Sequence, residues 1–230
     1  MAQFPDFVRI VEVGARDGLQ NEAAVSTQDK VALINALAEA GLKDIEAGAF
    51  VSPKWVPQMA DSSDVISALN LPSVNLSALT PNLRGAEAAK QVDIQEIAIF
   101  TAASESFCQK NINCSIDESI DRFKDVMAFA KANNIRVRGY VSCVMGCPYQ
   151  GDVDYNDVLK VSQRLLELGC YEISLGDTIG VGTAKKVDEL LDLLLQHIDK
   201  SKLAVHFHDT YGQALTNIYT ALSRGIATVD

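Results

Sequence analysis

The chain has 230 residues, of which 48% are hydrophobic, and 30 acidic against 20 basic residues give it a formal net charge of -10. This acidic balance argues against nonspecific nucleic-acid binding, which needs clustered Lys and Arg. There is no signal-peptide pattern, no apolar run near the roughly 20 residues of a membrane span, and an odd number of irregularly spaced cysteines. We therefore expect a cytoplasmic protein with reduced thiols and with neither a nucleic-acid nor a membrane partner.

Short apolar runs alternate with longer segments of helical period along the chain. Val31, Ile34 and Ala38 recur at three and four residues within 27–42, which predicts a core-facing helix that ends at Gly41. Further helices are predicted over 116–134, 152–168 and 183–198. The predicted strands are VRIVEVG (8–14), DIEAGAF (44–50), NLSALT (75–80), EIAIFTA (96–102), RVRGYVSC (136–143), YEISLGD (171–177), LAVHFHD (203–209) and the start of an eighth, TVD (228–230).

Uninterrupted alternation of strands and helices predicts a parallel α/β sheet. An open doubly wound sheet usually carries a glycine-rich GxGxxG turn after its first strand, but the turn here reads GARDGLQN. We therefore expect a single domain over residues 1–230, a TIM (β/α)8 barrel that is incomplete at its C-terminal end, with about seven strand–helix units and the start of strand eight.

Two of the 3 histidines stand one residue apart in HFHDTYG, at the end of a predicted strand. Side chains alternate between the two faces of a strand, so His206 and His208 project to the same side, about 7 Å apart at their Cα atoms. At the C-terminal end of a late barrel strand they would face the active-site mouth. They are suitable ligands for one divalent ion, although a structural role in the core or at the rim stays open here.

A second polar cluster is predicted at the same rim. Arg16, Asp17 and Gln20 follow the first strand, Glu46 lies inside the second, and Asp177 ends the sixth. Burying such charges is costly unless they pair or bind something. The cluster is therefore either a structural ion-pair network or part of a site, and carboxylates with imidazoles around one rim suit Mg²⁺ or Mn²⁺.

Three more residues are candidates for substrate binding. Arg138 and Tyr140 alternate in phase on the fifth strand, so both are predicted to face the barrel interior. Asn111 is predicted to lie in a loop after strand four, on the mouth side, where a substrate contact and ordinary turn chemistry are both open.

Longer segments carry a resemblance to a known family. VEVGARDGLQNE, FVSPKWVPQMAD, RGYVSCVMGCPYQG and HFHDTYGQAL resemble the 3-hydroxy-3-methylglutaryl-CoA (HMG-CoA) lyases, of a metal-dependent superfamily of TIM-barrel lyases and condensing enzymes. The resemblance implies a carbon–carbon lyase that cleaves HMG-CoA to acetoacetate and acetyl-CoA, as in leucine catabolism. It also implies a divalent metal cofactor, Mg²⁺ or Mn²⁺, and a CoA thioester as substrate. A homodimer is compatible with it, although the sequence itself does not fix the oligomeric state.

The resemblance also implies roles for individual residues. Asp17, His206 and His208 match the metal ligands of the family, and Arg16 matches an arginine that steadies the substrate's carbonyl. Glu46, Gln20 and Asp177 fall on positions close to the substrate or the metal. We expect Arg16, Glu46 and Asp177 to take part in catalysis, with Asp177 or His206 accepting the hydroxyl proton. The expected substrate-binding residues are Arg16, Gln20, Asn111, Arg138 and Tyr140.

The family pattern continues past Asp230, with a glycine-rich loop that carries a cysteine and with a further asparagine ligand, so we expect a C-terminally truncated chain. Without that loop and ligand, the 230-residue chain by itself is expected to bind metal weakly and to turn over slowly or not at all. GCPYQ at 146–150 is similar to that loop but follows strand five, so Cys147 is not assigned the role of the family's cysteine. Two alternatives remain open at this point. One is a sister Claisen-condensing synthase of isopropylmalate or homocitrate type, and the other is a non-catalytic barrel that only binds metal.

Overall fold

The computed structural model describes residues 4–230. Its strands form a closed barrel of eight in which neighbours follow chain order. They are β1 (Arg9–Glu12), β2 (Asp44–Ala49), β3 (Asn75–Leu79), β4 (Glu96–Ala102), β5 (Arg136–Ser142), β6 (Glu172–Asp177), β7 (Leu203–Phe207) and β8 (Thr228–Val229). The predicted TIM-barrel class is confirmed.

Helices connect the strands, as a parallel sheet requires. They are α1 (Thr27–Glu39), α2 (Ser62–Ala68), α3 (Leu83–Gln91), α4 (Glu105–Ile112), α5 (Ile116–Ala132), α6 (Tyr155–Leu168), α7 (Ala184–Leu194) and α8 (Ala214–Ser223). The predicted end of α1 is confirmed, because Gly41 adopts a φ of 104°, a left-handed conformation that glycine takes without steric cost. Within the described residues, no helix is both long and apolar enough to cross a membrane.

One unit comprises residues 10–99 and 125–137, with β2, β3 and most of β1 and β4. Its core is aliphatic, and Ile34, Ile45 and Ile97 are fully buried. The pairing of β2 with β3 shifts register between Glu46 and Gly48, which is the signature of a β-bulge. Bulges re-aim side chains near functional sites, and this one lies directly beside the predicted Glu46.

The second unit comprises residues 4–9, 100–124 and 138–230, and it contains β6, β7, β8 and most of β5. Its core includes Val141, Leu175 and Val205, all fully buried. The eighth strand, seen in the sequence only as a beginning, is two residues long. It is nevertheless enough to close the barrel, with Val229 opposite Val205 and with the Asp230 amide donating to the Val205 carbonyl at 2.9 Å.

Candidate active site

The cluster predicted after the first strand is built on a tight turn. Residues Gly14–Gly18 form a single π-helical turn, a conformation frequent at functional sites, and Arg16 is buried within it. The Arg16 guanidinium donates from Nη1 to Asp17 Oδ1 at 2.7 Å, and the Gln20 amide donates to the same oxygen at 3.1 Å. Asp17 is therefore held by two neighbours while its side chain keeps 21% exposure.

Glu46 lies beneath this turn as an ion-pair partner. Arg16 Nε donates to Glu46 Oε1, and the side-chain exposures of the two residues are 6% and 1%. Removing one member of a buried pair costs far more than the pair itself contributes, because the remaining charge loses its partner. The ion pairing that the sequence left open for this cluster is present between Arg16 and Glu46, and it fixes the orientation of the guanidinium.

His206 lies in β7, and His208 stands one residue beyond its end. The Nε2 atoms of the two rings lie 3.0 Å apart, with ring centroids at 5.1 Å, so both side chains project to the same side as predicted. Each histidine is only half-buried, and the pair is therefore accessible to a small ion.

The spacing of the two imidazoles fits a shared cation. A metal–nitrogen bond of about 2.1 Å and a right angle at the metal would separate two nitrogen ligands by about 3.0 Å. The Nε2 atoms of His206 and His208 stand at that separation. Imidazole nitrogens together with carboxylate oxygens are donors that a borderline to hard divalent ion accepts.

Asp177 ends β6 and is fully buried. Its carboxylate accepts hydrogen bonds from the backbone amides of Val181 at 3.1 Å and Gly182 at 2.7 Å. Burial raises the pKa of Asp177 above its ordinary value, and these amide donors oppose the rise only in part. Asp177 thus shapes the loop between β6 and α7, at the predicted rim of the barrel.

Arg138 and Tyr140 face the interior of their unit, as their phase predicted. Arg138 is 2% exposed, and its Nη1 donates to the Tyr140 hydroxyl at 3.1 Å. The guanidinium also donates to Glu172 Oε2 at 2.7 Å and to both carboxylate oxygens of Asp230, at 2.9 and 2.6 Å. Arg138 is therefore engaged mainly with carboxylates of the protein itself.

The prediction for the surroundings of Asn111 is wrong. Asn111 does not lie in a loop but in the last turn of α4, where it is exposed. The helix begins because the Ser104 hydroxyl accepts the Phe107 amide at 3.1 Å, and it ends at Asn113 in a left-handed conformation with φ 50°. A substrate contact for Asn111 would have to come from the end of a helix.

Three residues of this region, Asp230, Ser174 and Glu172, were not predicted from the sequence to belong to the site. The side chain of Asp230 has no solvent exposure and accepts a hydrogen bond from the Ser174 hydroxyl at 2.7 Å. Glu172 binds Arg9 at 2.5 Å as well as Arg138. Burial alone would raise the pKa of Asp230, but the charge of Arg138 outweighs this effect and holds that pKa well below its ordinary range. The one sequence signal was an acidic residue at the end of the eighth strand.

The loop after β6 packs against the segment that follows His208. Gly180 has φ +65°, and a Cβ there would lie 2.9 Å from the His208 carbonyl oxygen and 2.6 Å from Thr210 Oγ1. Gly180→Ala is therefore expected to lower the free energy of unfolding by about 2–4 kcal/mol, because left-handed strain and overpacking add. Gly212→Ala is the matched control, since Gly212 has φ +68° but open space around it. Equal losses in urea titrations of the two variants would contradict this packing argument.

Comparison with known proteins gives a consistent result. The HMGL-like family matches residues 7–230. A Pseudomonas aeruginosa protein named 3-hydroxy-3-isohexenylglutaryl-CoA/hydroxy-methylglutaryl-CoA lyase is 54% identical over 98% of this chain and 76% of its own length. The mitochondrial hydroxymethylglutaryl-CoA lyase of Gallus gallus is 54% identical over 99% of this chain and 77% of its own.

Solved structures agree with these sequence matches. The crystal structure of the Pseudomonas aeruginosa lyase superposes with a TM-score of 0.96 at 54% identity, over 99% of this chain and 76% of that one. An HMG-CoA lyase from Acinetobacter baumannii, solved with coenzyme A and 3-methylmalate, gives a TM-score of 0.94 at 32% identity, over 100% of this chain and 76% of that one. On the family match over residues 7–230 and on these identities, the chain belongs to the HMGL-like family.

Proposed function

We propose that the chain is a carbon–carbon lyase that cleaves HMG-CoA to acetoacetate and acetyl-CoA. The observation that carries the proposal is the pair of Nε2 atoms of His206 and His208, 3.0 Å apart at the end of β7, in a chain 54% identical to a protein named as such a lyase. The reaction needs a tertiary hydroxyl to lose its proton, a carbon–carbon bond to break, and negative charge on a thioester to be stabilised.

The metal centre of the proposal comprises Asp17, His206 and His208, each of which offers one ligand atom. All three residues stand at or just after the carboxyl ends of barrel strands, and in TIM-barrel enzymes these ends carry the active site. Oxygen and imidazole donors suit Mg²⁺ or Mn²⁺. When bound, a divalent ion supplies Lewis-acid chemistry that lowers the pKa of a coordinated hydroxyl.

Arg16 is the proposed electrostatic catalyst. Glu46 and Asp17 hold its guanidinium, so the charge is fixed before the substrate arrives. As the carbon–carbon bond breaks, negative charge develops on the thioester oxygen of the departing acetyl-CoA, and a fixed cation there stabilises the transition state more than the ground state. Glu46 contributes by orienting Arg16.

The proton of the tertiary hydroxyl needs an acceptor. Our candidates are Asp177 and His206, and we favour Asp177 because a ring nitrogen that coordinates a cation is not available as a base. The enolate of acetyl-CoA must in turn gain a proton to complete the reaction. Gln20, Arg138, Tyr140 and Asn111 remain proposed substrate contacts.

The substrate class draws support from a relative solved with coenzyme A. A cytoplasmic site of action in leucine catabolism, and assembly as a homodimer, belong to the same proposal. The five cysteines are all buried free thiols, as expected for a reducing compartment. Neither alternative reading is favoured, because the curated relatives compared above are named as lyases.

The test is a cleavage assay with metal removal. The protein isolated from its natural source is incubated with HMG-CoA, and acetoacetate and acetyl-CoA are quantified before and after treatment with a chelator. We expect both products in equal amounts, a loss of at least tenfold on chelation, and recovery with Mg²⁺ or Mn²⁺ but not with K⁺. Absence of cleavage with either metal, or cleavage indifferent to the chelator, would overturn the proposal.

A further inference from the structure

A continuous row of alternating charges runs through the second unit and ends at a proposed metal ligand. Arg9 Nη2 lies 2.5 Å from Glu172 Oε2, and Glu172 in turn accepts Arg138 Nε at 2.7 Å. Arg138 donates from Nη1 to Asp230 Oδ2 at 2.9 Å and from Nη2 to Asp230 Oδ1 at 2.6 Å. Asp230 Oδ2 then faces His206 Nδ1 at 3.5 Å. Each member comes from a different strand or strand end, so the row depends on the tertiary fold and not on local sequence.

The carboxylate of Asp230 is held beside the ring of His206. Its side chain has no solvent exposure, and three donor groups approach it: two guanidinium nitrogens of Arg138 and the Ser174 hydroxyl at 2.7 Å. Oδ2 accepts from Arg138 Nη1 and from the Ser174 hydroxyl, and the same oxygen lies 3.5 Å from His206 Nδ1, so its negative charge faces the ring. The bidentate pair of hydrogen bonds from Arg138 fixes the plane of the Asp230 carboxylate as well as its position.

We propose that Asp230, held by Arg138 and Ser174, is a positioning residue for the metal ligand His206: it takes a hydrogen bond from the Nδ1 proton and thereby turns Nε2 to the cation. This inference rests on the proposed metal centre and deepens it. A histidine that ligates a metal usually donates its other ring N–H to a carboxylate, which fixes the tautomer and raises the basicity of the ligand.

The arrangement of the two rings agrees with this assignment. With the proton on Nδ1, the lone pair of His206 Nε2 accepts a hydrogen bond from His208 Nε2–H, 3.0 Å away, in the metal-free protein. The opposite tautomer would place a proton on Nε2, where the ligand lone pair is needed, and would turn the lone pair of Nδ1 to a carboxylate. Two acceptors that face each other in a buried site repel, so the carboxylate selects the first tautomer.

The alternative explanation is that Asp230 serves only as a counter-charge for buried Arg138. Glu172 provides the matched comparison, because it is also buried, also a carboxylate and also bound to Arg138, yet its side-chain partners among the described residues are Arg9, Arg138 and Thr228 and include no histidine. A purely structural role predicts similar behaviour when either carboxylate is neutralised. A positioning role predicts that only Asp230 affects the state of the His206 ring.

The first measurement uses the unmodified protein. With ¹⁵N-labelled histidine, long-range ¹H–¹⁵N spectra report which nitrogen of each ring carries the proton, and the 3 His are assigned with the single variants His197→Gln and His208→Gln. We expect His206 to carry its proton on Nδ1, both with Mg²⁺ and without it. A proton on Nε2 in the metal-free protein would overturn the inference. Because this reads the wild-type chain, it does not depend on any variant folding.

The second measurement compares Mn²⁺ affinities. Asp230→Asn is expected to weaken Mn²⁺ binding by about 10–100-fold, the usual effect of losing a carboxylate behind a metal-bound histidine. Ser174→Ala should weaken it in the same direction by less, and Glu172→Gln should change stability while leaving affinity within about threefold. An Asp230→Asn protein that folds and binds Mn²⁺ as tightly as wild type would overturn the inference. If Asp230→Asn fails to fold, the inference is decided by the Mn²⁺ affinity of Ser174→Ala and by the tautomer of His206 in the wild-type protein.

The metal centre and the positioning role of Asp230 can be refuted separately. Wild-type protein whose His206 and His208 ¹⁵N shifts do not respond to Mg²⁺ would refute the metal centre and with it the proposed function. A clear response to Mg²⁺ together with the wrong His206 tautomer, or with equal effects of Asp230→Asn and Glu172→Gln on affinity, would refute only the role of Asp230.

Discussion

His206→Ala should lower the rate of HMG-CoA cleavage about a thousandfold or more and should remove tight binding of Mn²⁺. The ring supplies one of two adjacent imidazole donors, and a metal that activates a hydroxyl contributes several kcal/mol to the barrier, each 1.4 kcal/mol being about tenfold. Activity is measured by release of acetyl-CoA and metal content by equilibrium dialysis. Because the side chain is only 14% exposed, a urea titration of the variant is recorded alongside, to separate loss of the metal from loss of the fold.

The control for this variant is His197→Ala. His197 follows α7 and is exposed, so its loss should change neither metal binding nor the cleavage rate. A His206→Ala protein that retains cleavage within tenfold of wild type would contradict the proposed ligand role. Loss of cleavage with full retention of Mn²⁺ would contradict it equally, because the ring would then act in some other way.

Arg16→Met should damage both stability and catalysis. It removes the guanidinium that pairs with Glu46, whose side chain is 1% exposed, and breaking a buried pair from one side typically costs about 3–5 kcal/mol. It also removes the proposed fixed charge at the thioester oxygen, which is expected to lower kcat by about 10²–10³-fold. Urea unfolding and steady-state kinetics measure the two effects separately.

The double variant Arg16→Met/Glu46→Gln separates the two effects. Neutralising Glu46 as well removes the uncompensated buried charge, so some of the lost stability should return, whereas kcat should stay low. Recovery of kcat along with stability would mean that Arg16 has only a structural role. A single variant with normal kcat would contradict the catalytic assignment directly.

The features that depend on local pattern were predictable from the sequence. Alternating apolar runs indicated the barrel strands, Gly41 marked the end of α1, and one-residue spacing brought the rings of His206 and His208 to one side. Each of these features follows from backbone periodicity or from the conformational freedom of glycine, which operate over a few residues.

The features that depend on distant residues were not predictable. Asp230 meets Arg138 across 92 positions of sequence and Ser174 across 56, and no spacing rule covers such pairs. Asn111 was misplaced for a different reason. The capping serine at Ser104 was not recognised as a helix start, although Ser at that position and Glu105 in the first turn are ordinary signals for one.

The spacing of the two imidazoles bears on which ions can compete in a cell. By the general order of affinities, nitrogen donors bind Zn²⁺ more tightly than Mg²⁺ or Mn²⁺, so donor type alone would favour the wrong ion. Zinc prefers a tetrahedral angle, which at its usual bond lengths would separate the ring nitrogens by about 3.3 Å or more. The Nε2 atoms of His206 and His208 stand at 3.0 Å, which matches the right-angle spacing of a six-coordinate ion and is shorter than the tetrahedral spacing. Zinc in a tetrahedral site would therefore need the two rings to move apart, whereas an octahedral ion would not.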